Sequence, residues 1–156
     1  MSQDISRERL ANLTLRVRNA VIRWVENNED IDEDLCGACA IASVTLHKAL
    51  KSLGFKSTIA EFHSNCGGFH CWVEVGNWCC DPTASQFGDY PAAYVVQKQS
   101  YDILNKYKGT IVRGNAAERS IKVWYKPHNP IRYKNKINRF LAKLAVNQNL
   151  TRGEYG

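Results

Sequence analysis

The chain contains no uninterrupted apolar run approaching the ~18 residues that a membrane span requires, so no transmembrane segment is expected. No apolar block follows the charges of Asp4, Arg7, Glu8 and Arg9, which argues against a secretory signal. Internal repeats, low-complexity tracts and a composition break that would mark a linker are also lacking, and residues 1–156 are expected to form a single domain. With no sign of export, the expected compartment is cytosolic, where six cysteines are reduced thiols rather than a disulfide framework. A chain of 156 residues can bury about two-thirds of its unfolded surface and does not need bridges or a structural metal to hold a core.

The composition, 44% hydrophobic and 23% charged, is that of an ordinary globular protein and excludes a largely disordered or collagenous chain. The net charge of +6 is unevenly spread. Residues 1–34 carry five Lys/Arg against eight Asp/Glu, residues 35–97 three against four, and residues 98–156 thirteen against three. All six cysteines lie between 36 and 80, away from the basic third. This division separates a near-neutral chemical centre from a cationic surface suited to a charged partner.

Leu10, Leu13, Val17, Ala20, Val21 and Trp24 recur at three- and four-residue steps and predict an amphipathic helix over Ile5–Asn27. The acidic stretch from Glu29 to Asp34 reads as a solvated loop. A second helix is expected over Gly37–Leu53, with Ile41, Thr45, Leu46, Ala49, Leu50 and Leu53 inward and Gly54 suited to the left-handed position after its end. Strands are expected at Ser57–Phe62, Phe69–Val75 and Trp78–Pro82, the last two flanking the hairpin signal Gly76-Asn77. Tyr94–Val96, Thr110–Arg113 and Ile121–Tyr125 are further strand candidates, and Ile131–Val146 reads as a closing basic helix within the basic segment 127–156. The fold class is α+β, a nucleophile-bearing helix packed on an antiparallel sheet.

The hairpin has chemical consequences. With Gly76-Asn77 as its loop, Val75 faces Trp78, Val73 faces Cys80 and Cys71 faces Pro82, all on one apolar face. The other face holds His70, Trp72, Glu74, Cys79, Asp81 and Thr83. His70 stands diagonal to Asp81, at the ~7–8 Å spacing that ring and carboxylate side chains can bridge. A register slip by one residue would mix the two faces.

Cys39 falls in the first turn of the second helix, where unpaired N–H groups and the positive dipole end favour a thiolate. A cysteine nucleophile, a histidine to take its proton and an aspartate to orient the imidazole make up a catalytic triad, in the chain order Cys39, His70, Asp81.

Gly37-Ala38-Cys39 opening a helix, then His70-Cys71-Trp72-Val73-Glu74-Val75, then Asp81-Pro82-Thr83 resembles the transglutaminase-like superfamily, relatives of the papain-like cysteine peptidases and arylamine N-acetyltransferases. The run from Asp81 through Gln86-Phe87 is most like microbial and phage-encoded members. The resemblance spans residues 34–90, the expected catalytic core, and implies that Cys39 is the nucleophile, His70 the general base and acid, and Asp81 the orienting carboxylate. Ala40 stands where many relatives carry an aromatic residue. The implied reaction is acyl transfer through a thioester, with the Cys39 backbone N–H as one oxyanion donor and a second donor that the sequence does not name. No cofactor or metal is implied. A protein or peptide amide is the expected substrate, with peptidase or amidase action favoured over glutamine deamidation or cross-linking.

Several alternatives stand beside this reading. Cys36 is a rival nucleophile, His47 and His63 read as surface or core residues, and Trp72 is a candidate substrate contact that could equally be packing. Cys36 and Cys39 also form a Cys-x-x-Cys pair, which could serve zinc or redox chemistry; Cys79 and Cys80, adjacent on a strand, point to opposite faces and suit one metal poorly. The basic third could be a solvated helix face, an acidic-partner surface or, less favoured, a nucleic-acid surface, for which the interleaved aromatic and cationic groups Trp124, Tyr125, Lys126, His128, Arg132 and Tyr133 would speak. A catalytically silent binding module of the same fold is the rival from a different class.

Overall fold

A computed structural model of the protein describes residues 4–26 and 38–125, with the backbone alone at 24–26 and 122–125. Cys36, the acidic loop 29–34 and the basic segment 127–156 lie outside the described residues.

Among the described residues the architecture is α+β: three α-helices and a five-stranded antiparallel sheet. Helix α1 spans Arg7–Glu26 and α2 spans Cys39–Ser52. The strands are β1 (Ser57–Ser64), β2 (Phe69–Val75), β3 (Trp78–Asp81), β4 (Tyr94–Gln97) and β5 (Gly109–Arg113), followed by α3 (Asn115–Tyr125). They lie in the spatial order β4-β3-β2-β1-β5. Among the described residues no helix is long and apolar enough to cross a membrane.

Period sets the helices. On α1, Leu10, Leu13, Val17 and Val21 are buried at three- and four-residue steps, and they pack with Leu46 and Leu50 of α2 and with Val73, Val75, Cys80 and Val95 of the sheet. Each of these aliphatic side chains contributes about 1.5–3 kcal/mol by leaving water. Nine of the fourteen α2 residues are buried, which the small Ala40, Ala42, Ser43 and Ala49 permit by letting the helix approach the sheet closely. The helix stops in a Schellman turn: Gly54 takes φ +86°, its N–H donates to the Lys51 carbonyl at 3.0 Å, and the Phe55 N–H donates to the Leu50 carbonyl at 3.0 Å.

The hairpin forms in the expected register, Val75 opposite Trp78 and Val73 opposite Cys80. Two expectations change. Ile121–Tyr125, expected as a strand, is the end of α3. Ala117 and Ile121, four residues apart, are both buried against Cys39, Ala40 and Ile59, so helical spacing and the helix-forming run Ala116-Ala117-Glu118-Arg119 outweigh the local β-branched content. The sheet face carrying His70, expected to be a polar surface, is covered. The connections between β3 and β5 lay Ala84, Phe87, Tyr101, Ile103 and Leu104 over it, so the strand is enclosed from both sides.

Candidate active site

His70 and Asp81 meet across the end of the hairpin. His70 Nε2 lies 2.7 Å from Asp81 Oδ2, with the residues 2% and 0% exposed. The other partners of Asp81 are all donors: the Thr83 N–H reaches Oδ1 at 2.9 Å, the Tyr101 hydroxyl reaches Oδ2 at 2.7 Å, and the Thr83 hydroxyl stands 3.4 Å from Oδ1. A carboxylate is acceptor-only, so Nε2 carries the proton it shares with Asp81, and Nδ1 is the nitrogen left for chemistry. Phe87 packs edge-on against the imidazole at 4.6 Å between centroids and fixes its plane.

Cys39, the first residue of α2, meets this imidazole. Its sulfur lies close enough to the His70 side chain and to the thiol and backbone N–H of Cys71 for each of them to shift its titration. The free N–H of Cys71 has a topological cause. In the hairpin, Val75, Val73 and Cys71 direct their backbone groups toward β3, but the ladder ends at Val73–Cys80. The next acceptor would be the Pro82 carbonyl, which instead accepts from the Arg18 guanidinium of α1 at 3.1 Å. The Cys71 N–H is thereby left outside the β2–β3 ladder, near the Cys39 sulfur whose titration it influences.

The electrostatics follow from these contacts. The Cys71 thiol hydrogen bond is the largest influence on Cys39 and, with His70, overcomes burial to bring its pKa from an ordinary 9.0 down to about 5. Burial pulls His70 down, but the charge and hydrogen bond of Asp81, aided by Cys39, outweigh it and raise the imidazole to about 10. The pair is therefore held as thiolate and imidazolium at neutral pH. The other three buried cysteines move the opposite way. Burial raises Cys71 well above its ordinary value, and it raises Cys79 and Cys80 to about 12. Among the four, Cys39 alone is activated.

The structure thus brings Cys39, His70 and Asp81 together, and separates other candidates from them. Trp72 is 1% exposed, stacked on Tyr101 at 4.8 Å, with its indole N–H directed at Glu74 Oε2 at 3.4 Å. A ring so enclosed has no face to offer a substrate and supports the floor beneath His70. Glu74 pairs with Arg113 Nε at 2.8 Å. His47 contacts Ser57 Oγ at 2.7 Å, and His63 pairs with Glu61; neither approaches the triad. Cys80 packs beneath α1 and α2 while Cys79 packs beside Trp72 on the opposite face, and among the described residues no group of three or more His, Cys, Asp or Glu converges as metal ligands would.

Three contributors escaped the sequence reading. Cys71 gave no signal because alternation assigns it to the face opposite His70. Tyr101 is twenty residues from the aspartate it serves, with no local pattern linking them. Gln86 had a faint signal: it lies three residues beyond Thr83, one turn of the short 3-10 helix Ala84–Phe87, which stacks its amide over Thr83 and against His70. No protein-family profile matches the chain, and searches of curated proteins and of solved structures returned no match.

Proposed function

We propose that the protein is a cysteine-dependent acyl hydrolase or acyl transferase of the transglutaminase-like, papain-related type, acting on a protein or peptide amide. The observation that carries this reading is the His70 imidazole held at 2.7 Å by a buried Asp81, with the buried Cys39 at the first turn of α2 near enough to His70 for the two to shift one another's titration.

The Cys39 thiolate attacks the substrate carbonyl, and the Cys39 backbone N–H, at the start of α2 where Ala38 supplies no side-chain cap, donates to the developing oxyanion. His70 passes its Nδ1 proton to the departing amine, leaving an acyl-thioester on Cys39. His70, now neutral, takes a proton from water or from an acceptor amine, which attacks the thioester and frees the enzyme. Asp81 keeps Nε2 protonated throughout and stabilises the imidazolium. Peptidase or amidase action is the preferred assignment within this class.

The test is alkylation by substoichiometric iodoacetamide followed by mass mapping, together with Cys39→Ala. Modification concentrated on Cys39 and dependent on His70, with loss of turnover in the folded Cys39→Ala variant, is the expected result. Modification spread over the exposed Cys66, or a function untouched by Cys39→Ala, would replace the enzyme with a binding module.

A further inference from the structure

A second sulfur stands beside Cys39 that the acyl chemistry does not use. Cys71 follows His70 on β2 and packs in one buried cluster with Cys39, Ala40, Ile59, Ala117 and Ile121, where α2, the sheet and α3 meet. Cys39 is 2% exposed and Cys71 0%, and both are free thiols. The other described cysteines lie elsewhere. Cys80 packs with Val73 and Val95 beneath α1 and α2, Cys79 packs with Trp72 and Ala60 on the opposite face of the sheet, and Cys66 is exposed in the turn between β1 and β2. Among the described residues, Cys71 is the one thiol that shares a cluster with Cys39.

The two sulfurs suit different halves of one oxidation. Cys39, brought down to about 5, is held as the thiolate, the form that attacks a peroxide. Cys71 is held as the thiol, first by burial, then by Cys39 itself, and in part by the charge of Glu61, its partner across the β1–β2 ladder. A protonated Cys71 is not oxidised first, and it carries the proton that a later step must supply. Its restraint is also conditional. Conversion of Cys39 into a neutral sulfenic acid removes the negative charge that helps hold Cys71 protonated, so the second sulfur becomes more nucleophilic once the first has reacted.

We propose that Cys71 is a resolving cysteine for Cys39: a hydroperoxide oxidises the Cys39 thiolate, and the two sulfurs then close a reversible disulfide between α2 and β2 that silences the site and spares it from irreversible oxidation. In the first step an S–O bond forms at Cys39 and the O–O bond of hydrogen peroxide breaks. Sulfur loses two electrons, and the released hydroxide takes the His70 proton and leaves as water. In the second step the Cys71 sulfur attacks the Cys39 sulfenic acid: an S–S bond forms, the S–O bond breaks, and the Cys71 proton departs with the hydroxyl as water. A dithiol returns the two electrons and restores both thiols. The inference rests on Cys39 being the reactive thiolate and adds a second, redox role for its neighbour.

The experiment treats the full chain with hydrogen peroxide and maps it by tandem mass spectrometry without reductant. A Cys39–Cys71 linked peptide is expected, with iodoacetamide labelling of Cys39 lost after peroxide and regained after dithiothreitol. Cys71→Ser, which keeps the size of the side chain and cannot form the bond, is treated in parallel at a pH above the alkylation midpoint of both proteins. Its Cys39 should pass on to the sulfinic acid, and dithiothreitol should then return roughly tenfold less labelling than in the parent. Cys71→Ala, with its fold checked by a circular-dichroism melt, should behave as Cys71→Ser does. A bond from Cys39 to Cys36 or to any other cysteine, direct passage of the parent to the sulfinic acid, or equal recovery in the Cys71 variants overturns the proposal. Failure of the underlying reading shows before peroxide is added, as labelling of the reduced parent that is not selective for Cys39.

Discussion

His70 Nε2 and Asp81 Oδ2 are 2.7 Å apart although the backbone ladder between their strands ends before either residue is paired. The side chains complete what the main chain leaves open: the carboxylate takes up the imidazole, the Thr83 N–H and the Tyr101 hydroxyl, and so gathers β2, β3 and the segment beyond β4 around one buried charge. The same opening leaves the Cys71 N–H outside the ladder, where it helps lower the Cys39 thiol.

Asp81→Asn should keep the fold and lose the chemistry. An amide in place of the carboxylate no longer stabilises the imidazolium and favours the wrong tautomer, a change that costs on the order of 10⁴ in kcat in a Ser-His-Asp enzyme. Steady-state turnover of an acyl ester should fall by a comparable factor. Turnover within tenfold of the parent would deny Asp81 its orienting role.

The pH dependence of Cys39 alkylation should rise with an apparent pKa near 5 and stay level through neutrality. A depressed Cys39 contributes stability that is present above its ordinary 9.0 and lost as pH falls through about 5. A raised His70 contributes stability fully present below its ordinary 6.5 and lost as pH rises through about 10. The ion pair therefore spans the interval between about 5 and about 10, and a profile rising only near pH 9 would contradict it.

Cys71 is the first influence on that titration, so Cys71→Ala should move the Cys39 alkylation midpoint upward, as should His70→Ala. Cys71→Ser, which retains a donor of similar shape, should hold the midpoint lower than Cys71→Ala. Identical midpoints in all three variants and the parent would remove Cys71 from the site.

Tyr101→Phe keeps the stack on Trp72 at 4.8 Å but removes a hydroxyl donated to a buried carboxylate. Hydrogen bonds to charged groups contribute about 1.5–3 kcal/mol, and urea unfolding should show a loss in that range. Unchanged stability would mean that Asp81 is satisfied without Tyr101.

Arg113→Ala probes a pair that does not belong to the chemistry. Burial pushes the Glu74 carboxyl up, but the Arg113 hydrogen bond and charge pull it below its ordinary 4.5. That depressed carboxyl contributes stability present above pH 4.5 and lost as pH falls further. With Arg113 half in water the cost of its removal is about 1 kcal/mol at neutral pH, discounted from the buried-pair range. Thermal melts across acid pH should show a smaller acid loss in Arg113→Ala, with Cys39 alkylation unaltered; altered alkylation would tie this pair to the site.

The sequence by itself determined what is local. The three- and four-residue period of Leu10, Leu13, Val17 and Val21 set α1, the Ala-rich run before Gly54 set α2, and Gly76-Asn77 with strict alternation set the register that puts His70 and Asp81 on one face and Cys71 on the other. These features depend on neighbours within a few residues, so they can be read directly from the sequence. Tertiary structure decided what depends on distant closure. The Pro82 carbonyl turned to Arg18, sixty-four residues away, lies where the ladder ends and leaves the Cys71 N–H outside it. Tyr101 and Phe87 fold over a face that alternation alone leaves open to water, and the burial of Ala117 and Ile121 makes a helix of a segment with strand-like composition. The order of Cys39, His70 and Asp81 was written in the chain, while the depressed thiol and the orientation of the imidazole arise only where those distant segments meet.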